Sequence, residues 1–277
     1  MNNVFKILIF LGILWSLSYS VAYFMFDNNI DVGEKIVVIP IKGTITLEGS
    51  SSFLSSSTSA YDIIEKIDKA NNDDNVKAIV LEINSPGGTV LGSKVLAEKI
   101  KSVDKPVVAV ITEMGTSGAY WAASQADVIV ADELSIVGSI SVMGSYLEFS
   151  GLLKDYNVTY ERLVTGDYKD ISSPMKEMTY EEKVLVMEKM NEIHDFFVKD
   201  VAEGRNMNVD EIDKLANGMF YLGQDCIDNG LVDEIGNKEY AISLAKNMSG
   251  ISDGKVSEYV EKPNFFATLK GNFSFGW

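Results

Sequence analysis

The fold of this chain is decided by residues 76–103, which read VKAIVLEINSPGGTVLGSKVLAEKIKSV. Residues 76–83 are rich in Val and Ile, as expected of a strand that is buried on both faces of a parallel sheet. A turn of small residues follows, and from residue 90 to residue 103 apolar side chains recur at helical spacing. Strand, glycine-containing turn and helix in this order predict one unit of a βαβ fold.

The same alternation continues on both sides of this unit. Residues 35–41 and 106–111 have the same buried-strand character, and residues 60–70 have helical spacing. Residues 49–59 are rich in Ser and are predicted to form a mobile surface loop. Further predicted elements are strands at 128–131, 140–146 and 158–164 and helices at 179–204, 209–216 and 239–246. The pattern predicts an α/β domain with a parallel sheet.

The N-terminal segment is apolar enough to predict a membrane helix. Residues 7–26 carry no charge and provide about 20 positions, the number that spans a bilayer. Lys6 precedes the segment and acidic residues follow it, which predicts that the remainder lies outside the cytoplasm. The expected location is therefore the cell membrane, with a single pass. A cleaved signal peptide stays open as the alternative, because small residues at 18, 20 and 22 resemble a cleavage site.

Charge and composition exclude several kinds of partner. The chain has 40 acidic and 24 basic residues and a formal net charge of −16, which argues against nucleic acid or anionic lipid as a ligand. Cys226 is the only cysteine, so no internal disulfide can form, and it is predicted to be a small buried helix residue. His194 is the only histidine and is predicted to lie on the surface. The spacing of these residues supports no metal site, and no metal or cofactor is expected.

Ser117 and Lys169 are the candidate catalytic residues. Ser117 lies in the stretch GTSGAYW at 115–121, between a predicted strand and a helical segment, where a serine is exposed and close to backbone donors. Lys169 lies in GDYKDISSP at 166–174. A lysine amine can take a serine proton when burial lowers the pKa of the amine toward working pH. The pair predicts the Ser-Lys variant of triad chemistry.

Two aspartates and a second turn bear on this prediction. Asp167 and Asp170 flank the lysine, and a carboxylate close to the amine would impair a base, so both are expected to point elsewhere.

The turn NSPGGT at 84–89 follows a buried strand, and its glycines can expose backbone N–H groups to an oxyanion. A tight turn with no catalytic role is the alternative for this segment alone. In a parallel sheet, however, this turn and the Ser117 turn open on the same edge, where ligands bind.

Four motifs together resemble the signal peptide peptidase A family of the short, single-domain type. They are NSPGG at 84–88, TSGAY at 116–120, VGSI at 137–140 and GDYKDISSP at 166–174. The resemblance implies an α/β fold of the ClpP/crotonase-like type, a repeated β-β-α spiral core with an N-terminal transmembrane helix. It also implies Ser117 as nucleophile, Lys169 as general base, and Gly88 and Gly118 as oxyanion-hole amides. Ser139 is expected to hydrogen-bond the lysine amine and to orient it.

The resemblance implies a function and an assembly. The expected protein is a serine endopeptidase that degrades remnant signal peptides and other extended hydrophobic peptides through an acyl-enzyme, in a homo-oligomeric ring with active sites shared between protomers. The expected regions are a membrane anchor at 1–30, a Ser-Lys peptidase domain at 31–250 and an apolar C-terminal tail at 251–277. Two residues depart from the family pattern, since Ala119 and Ser141 each stand where the family usually has Gly.

Three alternatives stay open at this stage. A Ser-Lys protease of the stomatin-operon type would act on a hydrophobic tail of a membrane partner. Crotonase-fold enzymes also use backbone oxyanion holes on acyl-CoA substrates, and an inactive scaffold would keep the same architecture. A fold by itself does not choose among these functions.

Overall fold

A computed structural model of the protein describes residues 3–27, 33–51, 56–252 and 254–259. The chain divides into two compact units, Met1–Glu34 and Lys35–Trp277. The first unit contains one long helix, α1 (Asn3–Asp27). No helix in the described part of the chain is both long enough and apolar enough to cross a membrane. The membrane span at the N-terminus therefore stays a prediction.

The second unit alternates strands and helices along the chain. Its strands are β1 (Lys35–Lys42), β2 (Thr44–Thr46), β3 (Ser50–Ser51), β4 (Ser56–Ser59), β5 (Val76–Ser85), β6 (Val107–Thr116), β7 (Val128–Ala131), β8 (Ile136–Gly138), β9 (Phe220–Leu222), β10 (Glu234–Ile235) and β11 (Lys255–Glu258). Its helices are α2 (Ala60–Asn72), α3 (Val90–Lys101), α4 (Gly118–Ala123), α5 (Ser150–Asp155), α6 (Tyr180–Gly204), α7 (Val209–Leu215), α8 (Gly223–Asp228) and α9 (Lys238–Ser249).

The main sheet has the strand order β10-β7-β6-β5-β1-β11, and neighbours on this path are parallel. The short strand β8 pairs in parallel with the end of β6, and β9 pairs antiparallel with β8. Because β5 and β6 are adjacent and parallel, the turns that follow them lie at the same edge of the sheet. The predicted α/β architecture with a parallel sheet is confirmed.

Both faces of the sheet are buried, which explains why its strands are apolar at nearly every position. Along β1, Val37, Ile39 and Ile41 pack in the core that α2, α3, α4 and α6 cover. The alternate residues Ile36 and Val38 pack on the other face, in the core that α9 covers. A strand presents successive side chains to opposite faces, so a parallel strand between two helical layers needs apolar residues throughout.

Two predicted strands are wrong. Residues 140–146 and 158–164 form no strand, although both segments contain residues that favour β structure. A strand is stable only where its N–H and C=O groups find a neighbouring strand. Strand β9, from a distant part of the chain, occupies the position beside β8. Strand β8 begins four residues before the first of these two predicted strands.

The Ser-rich segment and the C-terminal segment also differ from the prediction. Within residues 49–59, β3 and β4 pair with each other and β4 pairs with β2, so the described part of this segment is a small sheet. Ser59 then caps α2 by accepting the Asp62 N–H (3.1 Å). Within the predicted tail, β11 joins the main sheet beside β1. Residues 260–277, which contain the apolar part of that tail, lie outside the described residues.

Helix α6 begins where its sequence signals predict. Thr179 accepts the Glu182 N–H (3.2 Å), and the Glu182 carboxylate accepts the Thr179 N–H (2.8 Å), which makes a capping box. Lys176 pairs with the same carboxylate (2.6 Å) and, with the hydrogen bond donated by the Thr179 N–H, lowers the pKa of Glu182. This cap joins the long segment that carries Lys169 to the helical layer.

Candidate active site

Ser117 lies on a strained turn between a strand and a helix. It follows the last residue of β6, and α4 begins at the next residue, Gly118. The backbone of Ser117 has φ +52° and ψ −128°, a conformation that residues with a side chain rarely adopt. Its N–H donates to the Gly138 carbonyl (2.8 Å), and its carbonyl accepts from the Trp121 N–H (3.0 Å). These bonds hold the turn, and the half-buried Ser117 lines an open pocket.

The second glycine turn, between β5 and α3, is held against β2. Gly87 has φ +102°, and its N–H donates to the buried Ser85 hydroxyl (3.1 Å). The Ile45 N–H donates to the Gly87 carbonyl (2.8 Å), and the Thr89 N–H donates to the Ile45 carbonyl (2.9 Å). A Cβ on Gly88 would lie 1.8 Å from the Ile45 carbonyl oxygen. The turn therefore requires glycine at both positions.

The two turns bring the amides of Gly88 and Gly118 together beside Ser117. A Cβ on Gly118 would lie 3.4 Å from the Gly88 nitrogen. The Gly88 N–H takes part in neither of the hydrogen bonds to β2. Gly118 is the first residue of α4, so the Gly118 N–H has no acceptor within the helix. Two N–H donors beside a nucleophile are an arrangement that can stabilise an oxyanion. The structure thus brings these three predicted residues together, while their catalytic roles stay predictions.

A cavity of about 230 Å³ opens beside Ser117. Its lining is largely apolar and includes Val90, Trp121 and Phe197. The rings of Trp121 and Phe197 stack with centroids 4.5 Å apart, and the Trp121 indole N–H donates to the Asp200 carboxylate (2.8 Å). Sequence reasoning missed both rings. Trp121 follows Ser117 by one helical turn, which is a usable signal, but Phe197 comes from α6 and has no local signal.

A larger cavity of about 520 Å³ lies near β1 and α2, and its lining includes Lys42 and Asp62. Its serines have local roles, since Ser57 hydrogen-bonds within the small sheet and Ser59 caps α2. Among its described residues none has the strained turn or the adjacent glycine amides that surround Ser117. The chemistry therefore favours the smaller cavity.

Ser139 is fixed next to the site by bonds to a different partner from the one predicted. Its hydroxyl donates to the Gly218 carbonyl (3.1 Å), and its N–H donates to the Met219 carbonyl (3.0 Å). Gly138, the residue before it, accepts the Ser117 N–H, so one backbone hydrogen bond joins Ser117 to the neighbour of Ser139. The Ser139 hydroxyl still has acceptor lone pairs. Its predicted bond to the Lys169 amine therefore stays a prediction.

Lys169 is exposed, and no hydrogen bond or ion pair joins its amine to Ser117 within the described residues. It lies in a segment from residue 141 to residue 181 that contains no buried residue, which we call the Lys169 arm. Large apolar side chains of the arm that are between 74% and 91% exposed are Met143, Leu147, Tyr156, Leu163 and Tyr180. The arm thus has no hydrophobic core of its own in one copy of the chain.

Arg162 pairs with the carboxylate of Asp170, the residue that follows Lys169. The Arg162 Nε donates to Asp170 Oδ2 (2.7 Å) and its Nη2 donates to Asp170 Oδ1 (2.9 Å), a bidentate pair. Nη2 also donates to the Asp167 backbone carbonyl (2.9 Å). The Arg162 guanidinium lowers the pKa of the Asp170 carboxyl below its usual range. The partner of Asp170 is thus an arginine that sequence reasoning missed, and the expectation that Asp170 points away from the lysine amine stays a prediction.

The single histidine and the single cysteine have structural positions. His194 is half-buried in α6, and its Nε2–H donates to the Ala216 carbonyl (2.9 Å), so the predicted surface position is only partly right. Cys226 is fully buried in α8, as predicted, and burial raises the pKa of its thiol to about 12. Within the described residues, no group of three or more His, Cys, Asp or Glu side chains has the arrangement to hold a metal ion.

Comparison with known proteins places this geometry in a family. Residues 99–252 match the model of peptidase family S49, a range that includes Ser117, Ser139 and Lys169. The chain is 37% identical to a putative protease of Methanocaldococcus jannaschii over 84% of this chain and 77% of the relative. It is 35% identical to a putative signal peptide peptidase SppA of Enterococcus faecium over 85% of this chain and 70% of the relative. It is 30% identical to the chloroplastic serine protease SPPA of Arabidopsis thaliana, over 82% of this chain and 34% of the relative. The chain therefore belongs to peptidase family S49 and is a serine-type protease.

Proposed function

We propose that this protein is a membrane-anchored serine endopeptidase that degrades cleaved signal peptides and other extended hydrophobic peptides. The observation that carries the proposal is the position of Ser117, on a strained turn beside the Gly88 and Gly118 amides and at the opening of an apolar pocket. A relative named as a putative signal peptide peptidase supports the substrate class. The net charge of −16 supports a peptide rather than a nucleic acid as the ligand.

The proposed chemistry proceeds through an acyl-enzyme. The neutral amine of Lys169 takes the proton of the Ser117 hydroxyl, and the oxygen attacks the scissile carbonyl. The N–H groups of Gly88 and Gly118 donate to the oxyanion that forms. The protonated lysine then donates its proton to the leaving amine, and a water activated by the same lysine hydrolyses the ester.

The nucleophile and the base are proposed to come from neighbouring protomers of a ring. The Lys169 arm supports this arrangement, because its exposed apolar side chains need a covering surface that one copy does not provide. Contact with the next protomer would cover the arm and bring Lys169 to Ser117 and Ser139. A ring of identical subunits uses one such contact repeatedly and closes on itself.

Membrane anchoring and fold type complete the proposal. The uncharged residues 7–26 are proposed to hold the protein in the cell membrane as a single pass, with the peptidase domain outside the cytoplasm. Fractionation with alkaline extraction, and protease accessibility in intact cells, test both statements. The fold is proposed to be the β-β-α spiral of ClpP and crotonase enzymes. The consecutive strands β7 and β8 ahead of α5 support it.

The alternatives differ in substrate. Membership of a peptidase family favours proteolysis over acyl-CoA chemistry. A protease of the stomatin-operon type would share the Ser-Lys site but would cleave one membrane partner. Trapping substrates from membranes with Ser117→Ala separates these two, because a signal peptide protease retains many short peptides and a dedicated protease retains one protein.

A fluorophosphonate probe on the full chain tests the activity itself. We expect the wild-type protein to be labelled at Ser117 and to cleave apolar peptides, and Ser117→Ala to lose both properties. The matched control is His194→Ala, which should keep both, since its bond to the Ala216 carbonyl lies outside the site. Cleavage by Ser117→Ala, or folded but inactive His194→Ala, would contradict the assignment of nucleophile and base.

A further inference from the structure

The Ser93 hydroxyl is buried and has no hydrogen-bond partner among the described residues. Ser93 is 1% exposed, on the first turns of α3, and its Oγ is one of two buried side-chain polar atoms left unpaired in the described chain. A helical serine often donates to the carbonyl four residues before it. Here the Thr89 carbonyl accepts the backbone N–H of Ser93 (3.0 Å), but the Ser93 hydroxyl makes no bond to it. Buried polar groups in folded proteins nearly always have a partner, so an unpaired one needs an explanation.

The unpaired hydroxyl lies in the pocket beside Ser117. Ser93 lines that pocket together with Ser117 and Gly118. A Cβ on Gly118 would lie 1.9 Å from the Ser93 Oγ, so the hydroxyl touches the backbone that carries the proposed oxyanion amide. The place where the reacting carbonyl would lie is therefore close to Ser93.

The other side chains named in the pocket lining provide few groups that could hydrogen-bond a polar atom of the substrate side chain. Val90 and Phe197 are apolar, and the Trp121 indole N–H is already paired with Asp200. Ser141 also lines the pocket, but it is only half-buried and water can reach it. Ser93 is thus the buried hydroxyl of an otherwise largely apolar wall.

We propose that Ser93 determines the specificity of cleavage by hydrogen-bonding a hydroxyl on the substrate side chain just before the scissile bond. This rests on the proposed role of Ser117. A threonine or serine at this P1 position would pair with the Ser93 hydroxyl and pack its carbon atoms on the apolar wall. Valine or alanine at P1 would exclude water from the Ser93 hydroxyl and leave it unpaired. The free-energy cost of this unpaired buried group would lower kcat/KM for those substrates.

The test compares peptides that differ only at P1, in the isosteric pair Thr and Val and in the pair Ser and Ala. For the wild-type full chain we expect kcat/KM to favour Thr over Val by roughly fivefold to tenfold, the effect of one neutral hydrogen bond. Ser93→Ala should remove the preference, with slower cleavage of the Thr peptide and faster cleavage of the Val peptide. Ser93→Cys, with a weaker hydrogen-bonding group of similar shape, should give an intermediate ratio.

A matched control and a label separate the possible failures. Ser141→Ala makes the same change in the same pocket at a half-buried position and should keep the wild-type ratio. Fluorophosphonate labelling of Ser117 in each variant reports that the site is intact. Labelled, active Ser93→Ala protein with an unchanged Thr to Val ratio would refute the role of Ser93 and leave the proposed function standing. Loss of the ratio in Ser141→Ala as well would also refute it. Cleavage by Ser117→Ala would instead refute the proposed function.

Discussion

Gly87 packs directly against Ser117. A Cβ added to Gly87 would lie 2.9 Å from the Ser117 Cβ and 2.8 Å from the Gly118 nitrogen. Gly87 also has φ +102°, so a side chain there is strained even before it meets a neighbour. The turn after β5 thus forms a wall of the turn that carries the nucleophile.

This contact predicts the effect of Gly87→Ala. The methyl group should displace the Ser117 side chain and the Gly118 N–H from their positions, which we expect to reduce kcat/KM by roughly 100-fold. The strained backbone should lower the free energy of unfolding by about 1–3 kcal/mol. Peptide hydrolysis and urea unfolding measure the two effects. Gly151→Ala, at a helical glycine with nothing within 4 Å of the added Cβ, is the control for the unfolding measurement and should not lower the free energy of unfolding, since alanine favours a helix more than glycine does.

Mixed rings test whether the active site is shared. Protomers with Ser117→Ala and protomers with Lys169→Ala should each be inactive alone. When they are assembled together at random, roughly a quarter of the interfaces should join an intact serine to an intact lysine, so partial activity should return. Rings that contain both variants and stay inactive would place both residues in one subunit.

The pair of Arg162 and Asp170 predicts a change in pH dependence. Because Arg162 lowers the pKa of the Asp170 carboxyl, the pair stays intact at neutral and alkaline pH and is lost only as pH falls through that lowered value. Activity of the wild-type protein should rise with pH in the alkaline range, since the lysine works only when neutral. Arg162→Gln leaves a free carboxylate one residue from Lys169, and the rise should move to higher pH.

A second substitution provides the control for this shift. Arg162→Gln combined with Asp170→Asn removes the free carboxylate and should restore the wild-type pH profile. If the double variant keeps the shifted profile, the arginine acts on the shape of the arm and not on the charge beside the lysine.

The buried thiol gives an independent check of the fold around β9 and α8. Burial raises the pKa of Cys226 to about 12, with a smaller contribution from Asp225, so almost no thiolate is present at pH 8. A thiol reagent should leave the native protein unmodified and should react with one equivalent after unfolding, because the chain has one cysteine. Rapid modification of active protein would contradict the packing described for α8.

Sequence patterns predicted most elements of the sheet and its helices. The strand at residues 128–131, the helix begun by Thr179 and the buried position of Cys226 agree with the structure because each depends on nearby residues. The same patterns failed at residues 140–146 and 158–164. Strand propensity was present there, but no neighbouring strand is available within the described chain, and a strand needs that partner.

By itself, the sequence determined the parallel α/β architecture and the two turns that carry Ser117 and Gly88, because hydrophobic periodicity and the need for glycine are local properties. The tertiary structure alone decided which groups meet. The approach of Gly118 to Gly88, the ring of Phe197 in the pocket and the unpaired hydroxyl of Ser93 all join parts of the chain that are distant in sequence. Such contacts depend on how layers pack around the sheet, and that packing is settled by the whole core rather than by any one segment.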